Sequence, residues 1–200
     1  AERDRERTIR EGRRSASLAR FLATAVDPAT DRDTIFQALA TELAGTIGDL
    51  AAIVRFEADG RIALAGVVGG PGDTAARLAT ELGRPLPLTD DGRSAFLVAQ
   101  PTILAPIPTD VRAAMHATLN AMGMPADVAT EVSSLITAPI RSAGAAIGGL
   151  VLLRFGATPN YDEEDRVAVE ALSAAASLVF ERSAVGDELA SSLIRFEALF

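Results

Sequence analysis

The sequence predicts an α+β domain, one mixed or antiparallel sheet with helices on its faces, and three observations carry that prediction. Leu50 to Glu57 and Ile62 to Val68 are short apolar runs joined through Asp59-Gly60, a residue pair suited to a two-residue turn. A second pair of apolar segments flanks Ser142-Ala143-Gly144-Ala145 within SSLITAPIRSAGAAIGGLVLLRFG, residues 133–156. Helical periodicity occupies both ends of the chain.

Taken in order, Glu2 to Val26 reads as a helix whose first half is almost wholly charged. Its second half carries an apolar stripe at Leu18, Phe21, Leu22 and Ala25. DPATD, residues 27–31, breaks the chain, and Ile35, Phe36, Leu39, Leu43 and Ile47 then recur at helical spacing. The first hairpin follows. GGPGD is a loop, Thr74 to Leu82 a short helix, and GRPLPLTDDGR an irregular connection into a helical turn at Ser94 to Ala99. PTILAPIPTD, with three prolines in ten residues, suggests a short edge strand. Val111, Met115, Leu119 and Met122 lie at i, i+4, i+8 and i+11, so Asp110 to Met122 is predicted as an amphipathic helix. After the second hairpin, Asp162 is placed to cap a helix, with Glu163, Glu164 and Asp165 setting negative charge over its first turn. That helix runs on toward Phe200, weakened by about 1 kcal/mol at Gly186.

Composition closes several function classes. The 200 residues suffice for one compact domain with flanking helices. The longest apolar run, Ala145 to Leu153, is about half of the ~20 residues a membrane span requires. No signal-peptide pattern opens the sequence, so the expected location is the cytoplasm. Without cysteine there is no disulfide, thiolate nucleophile or thiolate metal site. All 19 basic residues are arginine, which removes P-loop and Schiff-base lysines. A formal charge of −8 argues against a nucleic-acid partner, and the expectation is no nucleic acid and no membrane.

Three groups of residues then point to a family. Ala138-Pro139-Ile140 is an apolar-Pro-apolar step in a strand, Ile147-Gly148-Gly149-Leu150 an I-G-x-L strand, and Tyr161-Asp162-Glu163-Glu164-Asp165 an aromatic-x-E-E-D helix start. Together with DTIFQALATELAGTIGDLAAIVRFEADGRIAL near the N-terminus, this pattern resembles GAF domains, the small-molecule-sensing modules of signalling proteins, from about Asp31 to Arg182. The resemblance implies a GAF-like, PAS-related fold: a central antiparallel sheet of five or six strands, N- and C-terminal helices on one face and a ligand pocket on the other. It divides the chain into an N-terminal signalling and dimerisation helix (1–29), the GAF domain (30–182) and a helical linker to a following domain (183–200). ELASSLIRFEALF resembles the entry into a PAS domain, and the chain reads as an excised fragment. The cysteine that anchors bilins is missing, as is the N-K-x-F-D-E signature of the cyclic-nucleotide branch, so the resemblance names no ligand and the cofactor stays unknown. Pro139 is expected at an edge or a bulge where the sheet bends past the pocket.

Candidate ligand-binding residues are Met115, Leu119 and Met122 as an apolar wall, His116 as a ligand donor, Ser94, and Arg93 and Arg141 as partners for an anion at the rim. Each has a plainer alternative: core for the stripe, a helix flank for His116, exposed salt bridging for the arginines. Gly70-Pro71-Gly72-Asp73-Thr74-Ala75 fits a dinucleotide fingerprint only weakly, because its preceding strand pairs through a hairpin. His116 and Ser94 do not make a nucleophile elbow, since Phe96 stands at the second glycine, and the chain is expected to be no enzyme and to hold no metal. Val169, Leu172, Ala176, Val179, Ala190 and Leu193 follow 3-4 spacing, which predicts a helical seam between two copies and a homodimer. The expected function is a sensory domain that binds a small molecule and relays through its flanking helices. The alternatives are a ligandless dimerising spacer and a haem or redox sensor using His116.

Overall fold

The computed structural model of the chain describes residues 2–25, 30–88, 94, 96–97 and 99–197, and their side chains except those of 2–4, 6–7 and 183–197. Helices α1 (Glu2–Ala25) and α2 (Arg32–Thr46) lead into strands β1 (Leu50–Phe56) and β2 (Ile62–Gly69). The middle of the chain forms α3 (Thr74–Ala79), β3 (Thr102–Leu104), α4 (Thr109–Ala121) and α5 (Ala126–Glu131). Strands β4 (Val132–Ser142) and β5 (Ala145–Phe155) and helix α6 (Glu163–Glu197) complete it. The strands make one sheet in the order β2-β1-β5-β4-β3, antiparallel at every junction. This is the α+β architecture that the resemblance implied, with five strands of the expected five or six. The antiparallel β1–β2 pair also removes the parallel crossover that a dinucleotide fingerprint at Gly70 requires.

Alternation along the strands sorts the apolar residues onto two faces. Ala51 and Ile53 of β1, Ile136, Ala138 and Ile140 of β4, and Leu150 and Leu152 of β5 face α1, α2 and α6 in the main core. Leu50, Val54, Leu135, Leu153 and Phe155 point the other way. A bulge in β2, where Gly66 pairs with Ile53 but Leu64 with Val54, inverts the alternation, so that Leu64 and Val67 share the second face. Past that bulge Gly66 lies under α2, and a Cβ there would stand 2.9 Å from the Phe36 carbonyl oxygen. Helix α2 thus rests directly on the strand backbone. Phe36 meets Phe180 of α6 with ring centroids 4.7 Å apart.

Helix α1 attaches by polar contacts as much as by its stripe. Phe21 is fully buried and Leu18 and Ala25 pack at the core edge, whereas Leu22, expected in the stripe, is 37% exposed. Buried Ser17 donates to Glu42 Oε2 at 2.8 Å, and Arg20 grips both oxygens of the same carboxylate. Burial alone would raise the Glu42 pKa, but the hydrogen bonds from Arg20 and Ser17 outweigh it and hold the carboxyl below its ordinary range. Farther along α1, Arg14 Nη2 reaches Asp165 Oδ1 at 2.5 Å.

The acidic start of α6 is the predicted cap. Asp162 Oδ1 accepts from the Asp165 N–H at 2.9 Å, and Asp165 Oδ2 accepts in return from the Asp162 N–H at 3.2 Å, a reciprocal capping box. Val169, Leu172 and Ala176, expected to form a seam between two copies, are instead buried against this chain's own sheet, with Val179 packed beside them. The sheet needs an apolar stripe from α6, and the same spacing serves it. Ala190 and Leu193 lie outside the described side chains.

Pro139 sits at an edge with a bulge beside it. Strand β3 covers β4 only from Leu135 to Thr137, and the register shifts between Ile140 and Arg141. On the uncovered side, Ser173 Oγ donates to the Pro139 carbonyl and the Arg141 N–H donates to Ser177 Oγ at 2.9 Å. The missing proline N–H falls where no strand asks for it. The opposite margin is closed as well, by Gly83 and Leu86 N–H groups on β2 carbonyls and by the Gln37 amide bracketing Val67. No helix among the described residues is long and apolar enough to cross a membrane.

Candidate ligand pocket

The sheet face turned away from α1, α2 and α6 does not close on itself. A cavity of about 150 Å³ lies between it and α4. Alternate strand positions make its floor: Leu50, Ala52 and Val54 of β1, Leu64 of β2, Leu135 and Thr137 of β4, and Val151 and Leu153 of β5. Val111, Ala114, Met115, Thr118, Leu119 and Met122 of α4 make the roof, at helical spacing along one side of that helix. Leu78 of α3, Leu86, Leu88 and Phe96 close the flanks.

Helix α4 turns its apolar stripe to the sheet and yet buries none of its residues. It is held at its ends instead. Ile107 before it and Met124 after it are buried, and Arg112 Nη1 donates to the carbonyls of Ala129 at 3.2 Å and Val132 at 3.1 Å. The helix bridges a hollow between two anchored ends. Among the described residues, every one lining that hollow is non-ionisable, and the only side-chain N or O atoms on its wall are the hydroxyls of Thr118 and Thr137. A charged guest would lose its hydration and find no counter-charge among the described lining residues.

The predicted site residues separate accordingly. Met115, Leu119 and Met122 line the cavity. His116 follows Met115 by one residue, a turn of about 100° around the helix, and does not line it, so the haem reading loses the geometry it depended on. Ser94 is exposed, and it is Phe96, two residues on, that reaches the cavity. Arg141 is not at the rim: it lies at the far end of β4, donates from Nη1 to the Gly144 carbonyl at 3.0 Å, and lines a separate groove beside α6. Arg93 lies outside the described residues. Thr137 and the strand floor were missed by sequence reasoning, although strand alternation in Leu135-Ile136-Thr137-Ala138 already sets Thr137 opposite Ile136.

A polar cluster joins the cavity floor to the helices. Arg154, between the floor residue Leu153 and Phe155, points to the other face and meets Asp165 Oδ2 at 3.0 Å. It also donates to the carbonyls of Ile47, Pro159 and Asn160 and lies 4.1 Å above the Tyr161 ring. Since Asp165 also binds Arg14, one carboxylate ties β5, α6 and α1 together. Burial pushes the Tyr161 hydroxyl well above its ordinary pKa, keeping it neutral. Among the described residues, no group of His, Asp or Glu side chains is placed to hold a metal ion.

No curated protein matches the sequence. Among solved structures, the chain is similar to the phycoerythrobilin-bound GAF domain from a cyanobacterial phytochrome, at 19% identity and a TM-score of 0.63, over 86% of this chain and 96% of that one. Residues 122 to 287 of a methyl-accepting chemotaxis protein match at 19% identity and a TM-score of 0.63, over 84% and 97%. The GAF domain from a phosphoenolpyruvate-protein phosphotransferase of Coxiella burnetii matches at 15% identity and a TM-score of 0.60, over 86% and 96%. The sequence itself matches the GAF domain family over residues 31–180. With three quarters of its length in that match and the antiparallel sheet, helix-covered face and opposite cavity that the resemblance implied, the chain belongs to the GAF domain family.

Proposed function

We propose that this GAF domain is the sensory module of a signalling protein, and that it binds a small molecule between α4 and the sheet rather than catalysing a reaction. The observation that carries the proposal is the bridged hollow: an amphipathic helix, anchored at both ends, turns its apolar stripe to a sheet it does not fully pack against. A void costs its lining residues their contacts, and a ligand restores them. A ligandless spacer gains nothing from the void. The similarity to domains of a phytochrome and a chemotaxis protein supports a sensory setting.

The relay runs through the floor. A guest that lifts α4 or spreads β5 from β1 moves Arg154, and with it Asp165 at the start of α6 and Arg14 on α1. The signal is the difference in ligand affinity between two helix arrangements. The homodimer belongs to this proposal too, with its seam moved to the outward side of α6, where Val167 and Leu178 are exposed at the ends of a 4-3-4 series through Ala171 and Ala174.

Native mass spectrometry of freshly purified protein tests the proposal. A retained small molecule that disappears in Ala114→Leu, which fills the hollow from the roof, is the expected result. Protein that shows no ligand, and whose melting temperature no small molecule raises, refutes the sensor and leaves the spacer.

A further inference from the structure

We infer that the ligand is a neutral molecule of about one ring, a phenol or a compact alcohol, whose single hydroxyl is held by Thr137; this rests on the reading of the cavity as the sensory site. Size sets the first limit, because cavities near 150 Å³ with hydrocarbon walls admit a molecule of about benzene's dimensions. The wall sets the second, since its described residues are all non-ionisable and would leave a carboxylate, phosphate or ammonium group buried without a partner.

The third limit comes from the buried polar side chains. Ser17, Thr74, Ser134, Thr137, Asp165 and Ser173 are all at least nine-tenths buried. Five of them have protein partners: Glu42 for Ser17, the Pro71 carbonyl for Thr74, the Tyr161 N–H for Ser134, Arg14 and Arg154 for Asp165, and the Pro139 carbonyl for Ser173. Thr137 alone has no side-chain hydrogen bond among the described residues, and Thr137 is the one that lines the cavity. A buried hydroxyl left unpaired carries a desolvation cost that a bound donor or acceptor removes. The Tyr161 hydroxyl is also unpaired, but it packs against Gly48, where a Cβ would stand 2.7 Å away, and does not line this cavity. Since a threonine hydroxyl both donates and accepts, it matches a guest hydroxyl in either sense. Thr118 gives the roof a second hydroxyl, and the guest's polar end is expected at Thr137.

Calorimetric titration of the full chain with phenol, toluene and benzoate tests this, repeated on Thr137→Val and Thr137→Ser. Valine keeps the shape and the strand preference of threonine while deleting the hydroxyl. Wild type is expected to bind phenol about three- to tenfold more tightly than toluene, the ratio one net hydrogen bond supplies, and to bind benzoate immeasurably. In Thr137→Val the phenol advantage should vanish with toluene affinity intact, in Thr137→Ser it should persist, and unliganded Thr137→Val should melt no lower than wild type. Toluene binding with a phenol advantage that survives Thr137→Val overturns the role of Thr137 and leaves the cavity as the site. Benzoate binding as tight as phenol overturns neutrality. Failure of all three probes overturns the cavity reading and this inference with it.

Discussion

The two faces of the sheet are built from the same strands and by the same alternation of apolar residues, but they differ in how they are covered. Toward α1, α2 and α6, side chains such as Ile136, Ile140, Leu150 and Leu152 are fully buried, and Gly66 lets a helix backbone rest on a strand. Toward α4, the helix is pinned at its ends and open in the middle. On the proposed reading, stability and binding fall on opposite sides of one platform. Dense packing makes the first face intolerant of volume changes. The second has already given up contacts that a ligand can supply.

Matched truncations should break this contrast if it is wrong. Ile136→Ala on the dense face is expected to cost about 3–4 kcal/mol, whereas Leu119→Ala over the hollow should cost about 1 kcal/mol, because leucine there has little to lose on its inner side. Equal losses in urea unfolding would mean the hollow is packed in solution. Next in size, Gly66→Ala should cost about 2 kcal/mol, since the new methyl meets the Phe36 backbone rather than a movable side chain. Ala114→Leu should act in the other direction, adding about 1 kcal/mol of stability as it fills space from the roof.

The smallest effect is one of pH. Glu42 has a depressed pKa, so its contribution is complete above the ordinary carboxylate value of about 4.3 and fades as the pH falls through its lower folded value. Acidification toward pH 3 should loosen α1 by under about 1 kcal/mol, the scale of partly exposed ion pairs, as seen by faster amide exchange around Ser17 to Phe21. The described cavity wall has no ionisable residue, and toluene affinity should hold over the part of that range where the domain stays folded. Affinity that falls in step with α1 exchange would mean the faces are coupled at Glu42.

Much of this arrangement was legible in the sequence because its signals are local. The turn pairs at Asp59-Gly60 and Ala143-Gly144, the cap at Asp162 and the stripe of α4 each depend on neighbours within a few residues. Where reading failed, the information was not local. The 3-4 spacing of Val169, Leu172 and Ala176 states that one side of α6 is covered, but whether by a sheet or a second chain is decided by distant strands. His116 and Arg141 drew attention through their chemistry, while placement depends on about 100° of helix rotation in one case and on position along an eleven-residue strand in the other. The helix α5 has six residues and no apolar stripe long enough to mark it. Thr137 is the instructive omission: a small hydroxyl amid Leu135, Ile136 and Ala138 passes for ordinary strand until its lack of a partner among the described residues is seen in three dimensions.

The serine hydroxyls along α6 have one more consequence. At residues 139 and 141 the outer rim of β4 offers nothing for another strand to read, since Pro139 has no donor, its carbonyl is engaged by Ser173, and the Arg141 amide is engaged by Ser177. Replacing both serines with alanine would leave a bare carbonyl and a bare amide at that rim, converting a sealed border into a template on which unrelated extended chains can stack.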